Sequence, residues 1–414
     1  METDNDEFKK VEKMVRRTIS MSKNLKCKGR GRSTGVSDVC QEAFNCADII
    51  DYKEINTRIM EFHCQTFTDS RNAPPRIIQI EGLPTGFYLI IGALSVSEQL
   101  SLSKVALEEY SQADHTNLSN LNNLSQKHNE FALSDETAVT KEFLTSVSTS
   151  NLRRDIWQQS IKDNDNLARF KSLRWASLGY HYDWTKRMYQ ENVKSIFPSN
   201  LAILCKYLAN LVNEKMEAEA AIINFYPIGT YMSGHLDDAE HAMEEPIVSI
   251  SLGCPAIFLI GGKNKSEKPT PILIRSGDVI IMSKDSRYAY HGVPGVVSHN
   301  FKNDIKRQQC INRDIIISDQ YCCDICHLIQ SKIQHLDCSE IDSDINIYEE
   351  MPSSKQFHGP VSTDVGVKDN FIDVLQYLRQ GRININVRRV ARANATWVDK
   401  CGSGASYTST SIHS

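Results

Sequence analysis

The sequence predicts an α+β fold: a double-stranded β-helix (jelly roll) core with flanking helices and an N-terminal extension. Three observations point there. Short β-branched and aromatic segments recur in close order: Ala220–Tyr226, Pro246–Leu252, Ala256–Ile260, Pro271–Ile274, Asp278–Met282 and Arg287–His291. Turn formers separate them, including Gly253, Gly261-Gly262 and Ser276-Gly277, and many short strands with such turns build a sandwich or barrel. Finally, His235, Asp237 and His291 can meet only if the sheets wrap round, which a jelly roll does.

Residues 1–75 form the extension. Lys9 to Arg32 carries ten Lys/Arg against the single Glu12. Such a run suits a nucleic-acid arm, an import patch or part of a mitochondrial address; it suits equally a solvated helix followed by a disordered Gly/Ser-rich tether. The acidic opening (Glu2, Asp4, Asp6, Glu7) argues against a transit peptide. Pro74-Pro75 marks a boundary, and residues 76–395 form the main domain. Arg76–Ile80 and Gly86–Ile91 read as strands. Ser95–Tyr110 reads as a helix with Leu100, Val105 and Leu107 on its apolar side. Asn117–Asn129 is Asn/Ser-rich, hence a loop, and Asp135–Phe170 is helical in pattern. Arg174–Trp184 is dense in aromatics: Trp175, Tyr180, His181, Tyr182 and Trp184. Core is the plain fate of the two tryptophans, although enzymes that work on a base commonly hold it against such aromatic faces.

Pro198-Ser199 opens a helix through Leu211, with Ser199 as N-cap. Leu201, Leu204, Leu208 and Leu211 fall at helical spacing, so that helix covers a sheet. Residues 302–368 lose all periodicity and read as a polar insertion, partly disordered. Cys323, Cys326, His335 and Cys338 within it have spacings too irregular and short for a common zinc site. Phe371–Leu378 reads as a short helix, Gly381–Val390 as a strand, and residues 396–414 as a disordered Ser/Thr/Gly tail.

The 414 residues suit one large domain with added segments. With 51 acidic and 47 basic residues the net charge is −4, so any surface for nucleic acid must be local. Twelve scattered cysteines read as reduced thiols in an intracellular protein. Nucleus, mitochondrion and cytoplasm all stay open. The longest apolar run, Phe87–Val96, is too short for a bilayer, and a monomer without membrane association is expected.

The chemistry centres on His235-Leu236-Asp237, which leads out of an extended run, and on His291 after Ser286-Arg287-Tyr288-Ala289-Tyr290. Two histidines and one carboxylate are the set that holds non-haem Fe(II) and leaves positions open for substrates. In Arg382-Ile383-Asn384-Ile385-Asn386-Val387-Arg388 every second residue is polar. Two inward arginines demand anions, because an unpaired buried charge is very costly, and guanidinium pairs bidentately with carboxylate.

These residues resemble the AlkB-type Fe(II)- and 2-oxoglutarate-dependent dioxygenases. That family's pattern is Asn-x-Tyr, His-x-Asp, a distal His and Arg-x-Asn-x-x-x-Arg; here these are Asn224/Tyr226, His235/Asp237, His291 and Arg382/Asn384/Arg388. The stretch Leu173–Trp184 is similar to the segment preceding the family's catalytic strands. Asn386 stands where many members have Thr. The resemblance is strong over 170–300 and 370–392. It implies that His235, Asp237 and His291 bind Fe(II), and that Arg382, with Asn384 and Tyr226, takes the distal carboxylate of 2-oxoglutarate. Arg388 and Asn224 would hold the end near the metal. Tyr180, Tyr182 and Asp238 would meet substrate, although a solvated loop acid is the plainer view of Asp238. Arg389 and Arg392 would face solvent or phosphate. The implied reaction consumes 2-oxoglutarate and O2, yields succinate and CO2, and hydroxylates a methyl group. On nitrogen the product falls apart to formaldehyde. The expected substrates are methylated bases in tRNA (1-methyladenine, 5-methylcytosine), then 6-methyladenine in DNA. A methylated protein side chain such as histone methyl-lysine is the alternative.

Overall fold

Side-chain alternation along the strands decides the architecture, because each strand presents one face to helices and the other to a facing sheet. The computed structural model describes residues 6–24, 48–54, 56–63, 75–112, 173–183, 186–299 and 371–391, with positions 157, 325 and 328. Among these, the N-terminal segment holds α1 (Glu7–Asn24), β1 (Ile59–Phe62), β2 (Arg76–Ile80), β3 (Phe87–Ile91) and α2 (Val96–Val105). The middle holds β4 (Trp175–Asp183), β5 (Met188–Lys194), α3 (Ser199–Asn210), β6 (Ala220–Pro227) and β7 (Met232–His235). Then come β8 (Ile247–Gly253), β9 (Ala256–Ile260), β10 (Thr270–Ile274), β11 (Val279–Met282), β12 (His291–Val296), α4 (Ile372–Gln380) and β13 (Gly381–Arg388). All pairings between these strands are antiparallel, and one isolated parallel bridge joins Ile50 to Ile272. The larger sheet runs β1-β2-β3-β11-β8-β13-β6-β4-β5 and the smaller β10-β9-β12-β7, the two-sheet arrangement expected of a jelly roll.

The outer face of the larger sheet is apolar throughout. Ala221, Ile223 and Phe225 of β6, Val248, Ile250 and Leu252 of β8, and Ile383, Ile385 and Val387 of β13 share one core with Leu201 and Leu208 of α3 and Val374, Leu375 and Leu378 of α4. Burying each such side chain contributes about 1.5–3 kcal/mol. The inner face changes character across the sheet. At the β2–β3–β11 end, Ile78, Ile80, Phe87, Leu89, Ile280 and Met282 pack on Phe258, Ile260, Ile272 and Ile274 of the smaller sheet. Further along, the same pleat carries polar groups. Arg382 lies opposite Tyr226 and Asn384 opposite Asn224, with Asn384 and Asn386 opposite Ser251 and Ser249 on the other flank. A closed apolar end thus continues into a polar end.

Three local expectations change. Arg287–His291 is not a strand. Lys284–Tyr288 forms a 3-10 turn, and the strand begins at His291. The Ser286 N–H is taken by the Thr85 carbonyl, while the Arg287 and Ala289 N–H groups close local turns onto Ser283 and Ser286, so no ladder forms there. Ser199 is not the N-cap; Pro198 holds that position and no side chain caps the helix. The basic N-terminal helix is not solvated all round, since Phe8, Val11, Val15 and Ile19 bury against Ile257, Leu259, Leu273 and Val297 on the outer face of the smaller sheet. The Asn117–Asn129 loop, the Asp135–Phe170 helix, Trp184, the 302–368 insertion with its cysteines and histidine, Arg392 and the 396–414 tail lie outside the described residues, apart from the three single positions named. Among the described residues, no helix is long and apolar enough to cross a membrane.

Gly179 re-aims β4. Up to it the strand alternates, with Ala176 and Leu178 in the outer core. At Gly179 φ is +66°, a left-handed conformation open to glycine. The alternation then reverses, and Tyr180 and Tyr182 pack beside Tyr189, Ala220 and Ala239. A Cβ at Gly179 would also collide with the Glu219 carbonyl. Gly179→Ala should therefore lower stability by about 1–3 kcal/mol, read as a reduced denaturation midpoint; an unchanged midpoint would rule out this constraint.

Candidate active site

The polar end of the two-sheet interior gathers the sequence-selected residues. β7 and β12 pair so that His235 stands directly across from His291, with ring centroids 4.5 Å apart. Asp237 follows β7 in the connecting segment. Its carboxylate lies 3.7 Å from the Nε2 of each histidine. One donor atom from each of the three falls within 4.8 Å of the others. Both rings are oriented from behind. The Nδ1 of His235 is 2.9 Å from the Ser233 carbonyl, and that of His291 is 3.0 Å from the Ala289 carbonyl. A carbonyl can only accept, so Nδ1 carries the proton and Nε2 offers its lone pair toward Asp237. Metal-ligating histidines take this arrangement.

Asp237 is fixed by charge. Burial alone would raise its carboxyl, but Arg388, then His291, His235 and Arg287, outweigh it and hold the group far below the usual carboxylate range. Arg388 Nη1 lies 3.1 Å from Asp237 Oδ2 and 2.8 Å from Glu240 Oε1. Glu240, 1% exposed, also takes Arg287 Nη2 at 2.9 Å. Arg287 in turn donates to the Asp237 and Glu245 carbonyls. Burial favours the neutral form of Glu240, and Arg388 and Arg287 override it to keep the carboxyl low. The chain Arg287–Glu240–Arg388–Asp237 thus fixes Asp237 at both its carboxylate and its backbone.

Arg382 contrasts with Arg388. It is 3% exposed, and among the described residues no carboxylate pairs with it. Its guanidinium donates to Ser251 Oγ at 2.7 Å and the Cys254 carbonyl at 3.3 Å. Burial pulls it down to about 10. The Nε atoms of both Arg382 and Arg388 are buried without a partner. Asn384 bonds Ser249 Oγ and the Ile250 carbonyl, each at 3.0 Å, and accepts from Asn386 at 2.9 Å. Asn224 and Tyr226 are buried on the facing strand. Arg382, without a carboxylate among the described residues, and one unpartnered Nε on each of Arg382 and Arg388 fit an acidic cosubstrate between Arg382 and the histidine–aspartate cluster. That cluster fits a divalent iron.

The expected substrate residues sit at the rim. Tyr180 and Tyr182 are half-buried, with Lys194 Nζ 5.1 Å from the Tyr180 ring centre and Tyr189 edge-on to Tyr182 at 5.3 Å. Burial raises the Tyr182 hydroxyl above its ordinary value despite a hydrogen bond with Arg187, and Asp238 and Glu240 add to the rise. Asp238 is exposed beside Tyr182. Trp175 is half-buried opposite Asn224, at the edge of the polar face rather than within the apolar core. Arg389 bonds Glu245 and lies 3.1 Å from Glu217, so acids within the protein already occupy it. Glu240, Arg287 and Tyr189 were not selected from the sequence. The only signal lay in spacing: Glu240 follows Asp237 by three residues and Arg287 precedes His291 by four.

A family model described as the 2OG-Fe(II) oxygenase superfamily matches residues 86–388. An Arabidopsis thaliana protein named DNA N(6)-methyladenine demethylase ALKBH1A is 35% identical over 232 residues, 53% of this chain and 66% of that one. The tRNA demethylase abh1 of Schizosaccharomyces pombe is 40% identical over 139 residues, 32% of this chain and 45% of its own. The mouse nucleic acid dioxygenase ALKBH1 is 33% identical over 225 residues, 54% of this chain and 53% of its own. The matched regions thus span 45% to 66% of these relatives.

Burial, with His235 adding to it, pushes the His291 imidazole down to about 4, whereas an unfolded chain protonates near 6.5. Between those values unfolding takes up a proton, so stability falls as pH drops through that window. The metal-free protein should lose denaturation midpoint from about pH 7 to about pH 5, and His291→Gln should lose less. Equal losses would mean that the imidazole is not held neutral.

Proposed function

The chain belongs to the 2OG-Fe(II) oxygenase superfamily, and on that premise we propose that it oxidises methyl groups on nucleic-acid bases with this site. Membership implies Fe(II), 2-oxoglutarate and O2, and makes the protein an oxidoreductase. When bound, iron and 2-oxoglutarate supply the oxidising power, with succinate and CO2 as by-products. In this reading His235, Asp237 and His291 hold the iron by two imidazole nitrogens and one carboxylate oxygen. Arg382 pairs with the distal carboxylate of 2-oxoglutarate, while Asn384 and Tyr226 line that end. Arg388 and Asn224 stand near the metal end, where Arg388 also holds the Asp237 carboxylate. The observation that carries the reading is the convergence of the three ligands within 4.8 Å in the interior that also buries Arg382, which has no paired carboxylate among the described residues.

The preferred target in this proposal is a methylated base in a structured RNA, 1-methyladenine or 5-methylcytosine in tRNA, with 6-methyladenine in DNA second. Two of the relatives are named for tRNA and DNA demethylation. Half-buried Tyr180 and Tyr182, packed on the buried Tyr189, form an aromatic rim. Stacking on such a rim contributes about 1–3 kcal/mol per base. Asp238, near Tyr182, would meet the base edge.

The two arginines should separate on mutation. Arg382→Ala should raise the KM for 2-oxoglutarate by about 10- to 150-fold, equivalent to about 1.5–3 kcal/mol for a hydrogen bond to a charged group, with the fold intact. Arg388→Ala leaves two buried carboxylates short of a counter-charge, and should cost about 3–5 kcal/mol in stability. An unchanged cosubstrate KM in Arg382→Ala would reject the clamp.

Turnover should be compared on methylated tRNA, methylated duplex DNA and a histone peptide carrying methyl-lysine, followed by formaldehyde and succinate release. Turnover should be highest on tRNA, vanish on iron chelation, and fall about 10-fold or more in Tyr182→Ala. Turnover confined to the peptide would establish the protein-side-chain alternative instead.

A further inference from the structure

We propose that α1, which precedes the span matched to the superfamily, positions His235 through Glu12, making Glu12 a positioning residue for iron binding; the inference rests on the iron site proposed above. Glu12 is 6% exposed, whereas Lys9, Lys10, Lys13 and Arg17 on the same helix face solvent. Its Oε1 accepts from Ser233 Oγ at 3.1 Å and its Oε2 from the Gly234 N–H at 3.1 Å. Gly234 immediately precedes His235, and the Ser233 carbonyl is the group that orients the His235 ring. A single carboxylate therefore grips the two residues that set both the backbone and the imidazole of one iron ligand.

The sheet alone secures this segment weakly. β7 is four residues long and sits at the edge of the smaller sheet. Its pairing with β12 is irregular, with only Met232 and His235 in register. Edge strands have one unpaired side, and here α1 covers the segment. Phe8 closes over Gly234 so tightly that a Cβ there would strike its ring. Arg16 stacks on Tyr231 at 3.4 Å and lies 3.7 Å from Glu12, partly compensating the carboxylate. Val11, Val15 and Ile19 bury the remaining inner face of the helix. The helix is thereby locked in position, and Glu12 transmits that position to β7 by hydrogen bonds to a charged acceptor, the stronger kind.

Outer groups that orient a ligand typically govern metal affinity by 10- to 100-fold. The test is an anaerobic Fe(II) titration of the full chain with saturating 2-oxoglutarate, followed by the visible charge-transfer absorption of the complex, alongside thermal unfolding of the metal-free protein. Glu12→Ala should weaken Fe(II) binding by about 10-fold or more. Glu12→Gln keeps an acceptor for the Gly234 N–H and should stay within about 3-fold of wild type, as should the solvent-facing control Lys13→Ala. Should Glu12→Ala fail to fold, Glu12→Asp keeps the charge but shortens the reach, and should weaken Fe(II) several-fold. Wild-type Fe(II) affinity in folded Glu12→Ala or Glu12→Asp, even with a lowered unfolding temperature, would overturn the proposal by reducing Glu12 to helix docking. Equal weakening in Glu12→Gln and Glu12→Ala would overturn it too, because hydrogen-bond geometry would then not be the cause. Failure of wild type itself to bind Fe(II) would instead reject the underlying iron site.

Discussion

The compensation of buried charge around Asp237 is the constraint on which the rest of the centre depends. A carboxylate removed from water is costly unless cations and donors surround it. Here Arg388 bridges Asp237 and Glu240, and Arg287 closes the set by gripping Glu240 and the Asp237 backbone. Each partner comes from a different part of the chain: β13, the segment after β7, and the turn before β12. Satisfying the charge therefore brings three distant segments together, and the same act places Asp237 between two histidines.

The larger sheet gives this network its setting. Its outer face is uniformly apolar beneath α3 and α4, so the sheet has one way round. Its inner face is apolar where it meets Phe258 and Ile272 and polar where it meets His235 and His291. The apolar end holds the sheets together without consuming hydrogen-bonding groups. The polar end is free to hold cations that the protein does not fully neutralise, and Arg382 is the clearest of them. An incompletely paired buried cation is costly, and the closed apolar end supplies the stability that this arrangement requires.

Much of the fold was legible because it rests on local periodicity. The strand segments of β2, β3, β6, β8, β9, β10, β11 and β13, the leucine spacing of α3 and the helical start at Ser95 are all carried by neighbouring residues. The errors share one origin. Arg287–Tyr290 has the composition of a strand, yet a buried arginine reaching Glu240 and a backbone tied to Thr85 turn it into a 3-10 segment. The four-residue β7 is too short for any periodicity. The basic look of α1 obscured its apolar side, although Phe8, Val11, Val15 and Ile19 lie on one helical face.

By itself the sequence determined the donor types, two histidines, one carboxylate and two arginines, together with the pleat that puts Arg382, Asn384 and Arg388 on one face. Alternation along a strand and residue chemistry are local properties, so no partner is needed to read them. Only the tertiary structure decided which arginine is neutralised from within and which is not. The two occur in similar strand positions, and their difference lies in Glu240 and Asp237, some 140 to 150 residues away in the chain. Tertiary packing also decided that Tyr180 and Tyr182 turn toward the site, through a left-handed Gly179 that strand periodicity does not anticipate. It decided, too, that Glu12 reaches Ser233 and Gly234, because contacts across more than 200 residues are set by which surfaces pack and leave no trace in local pattern.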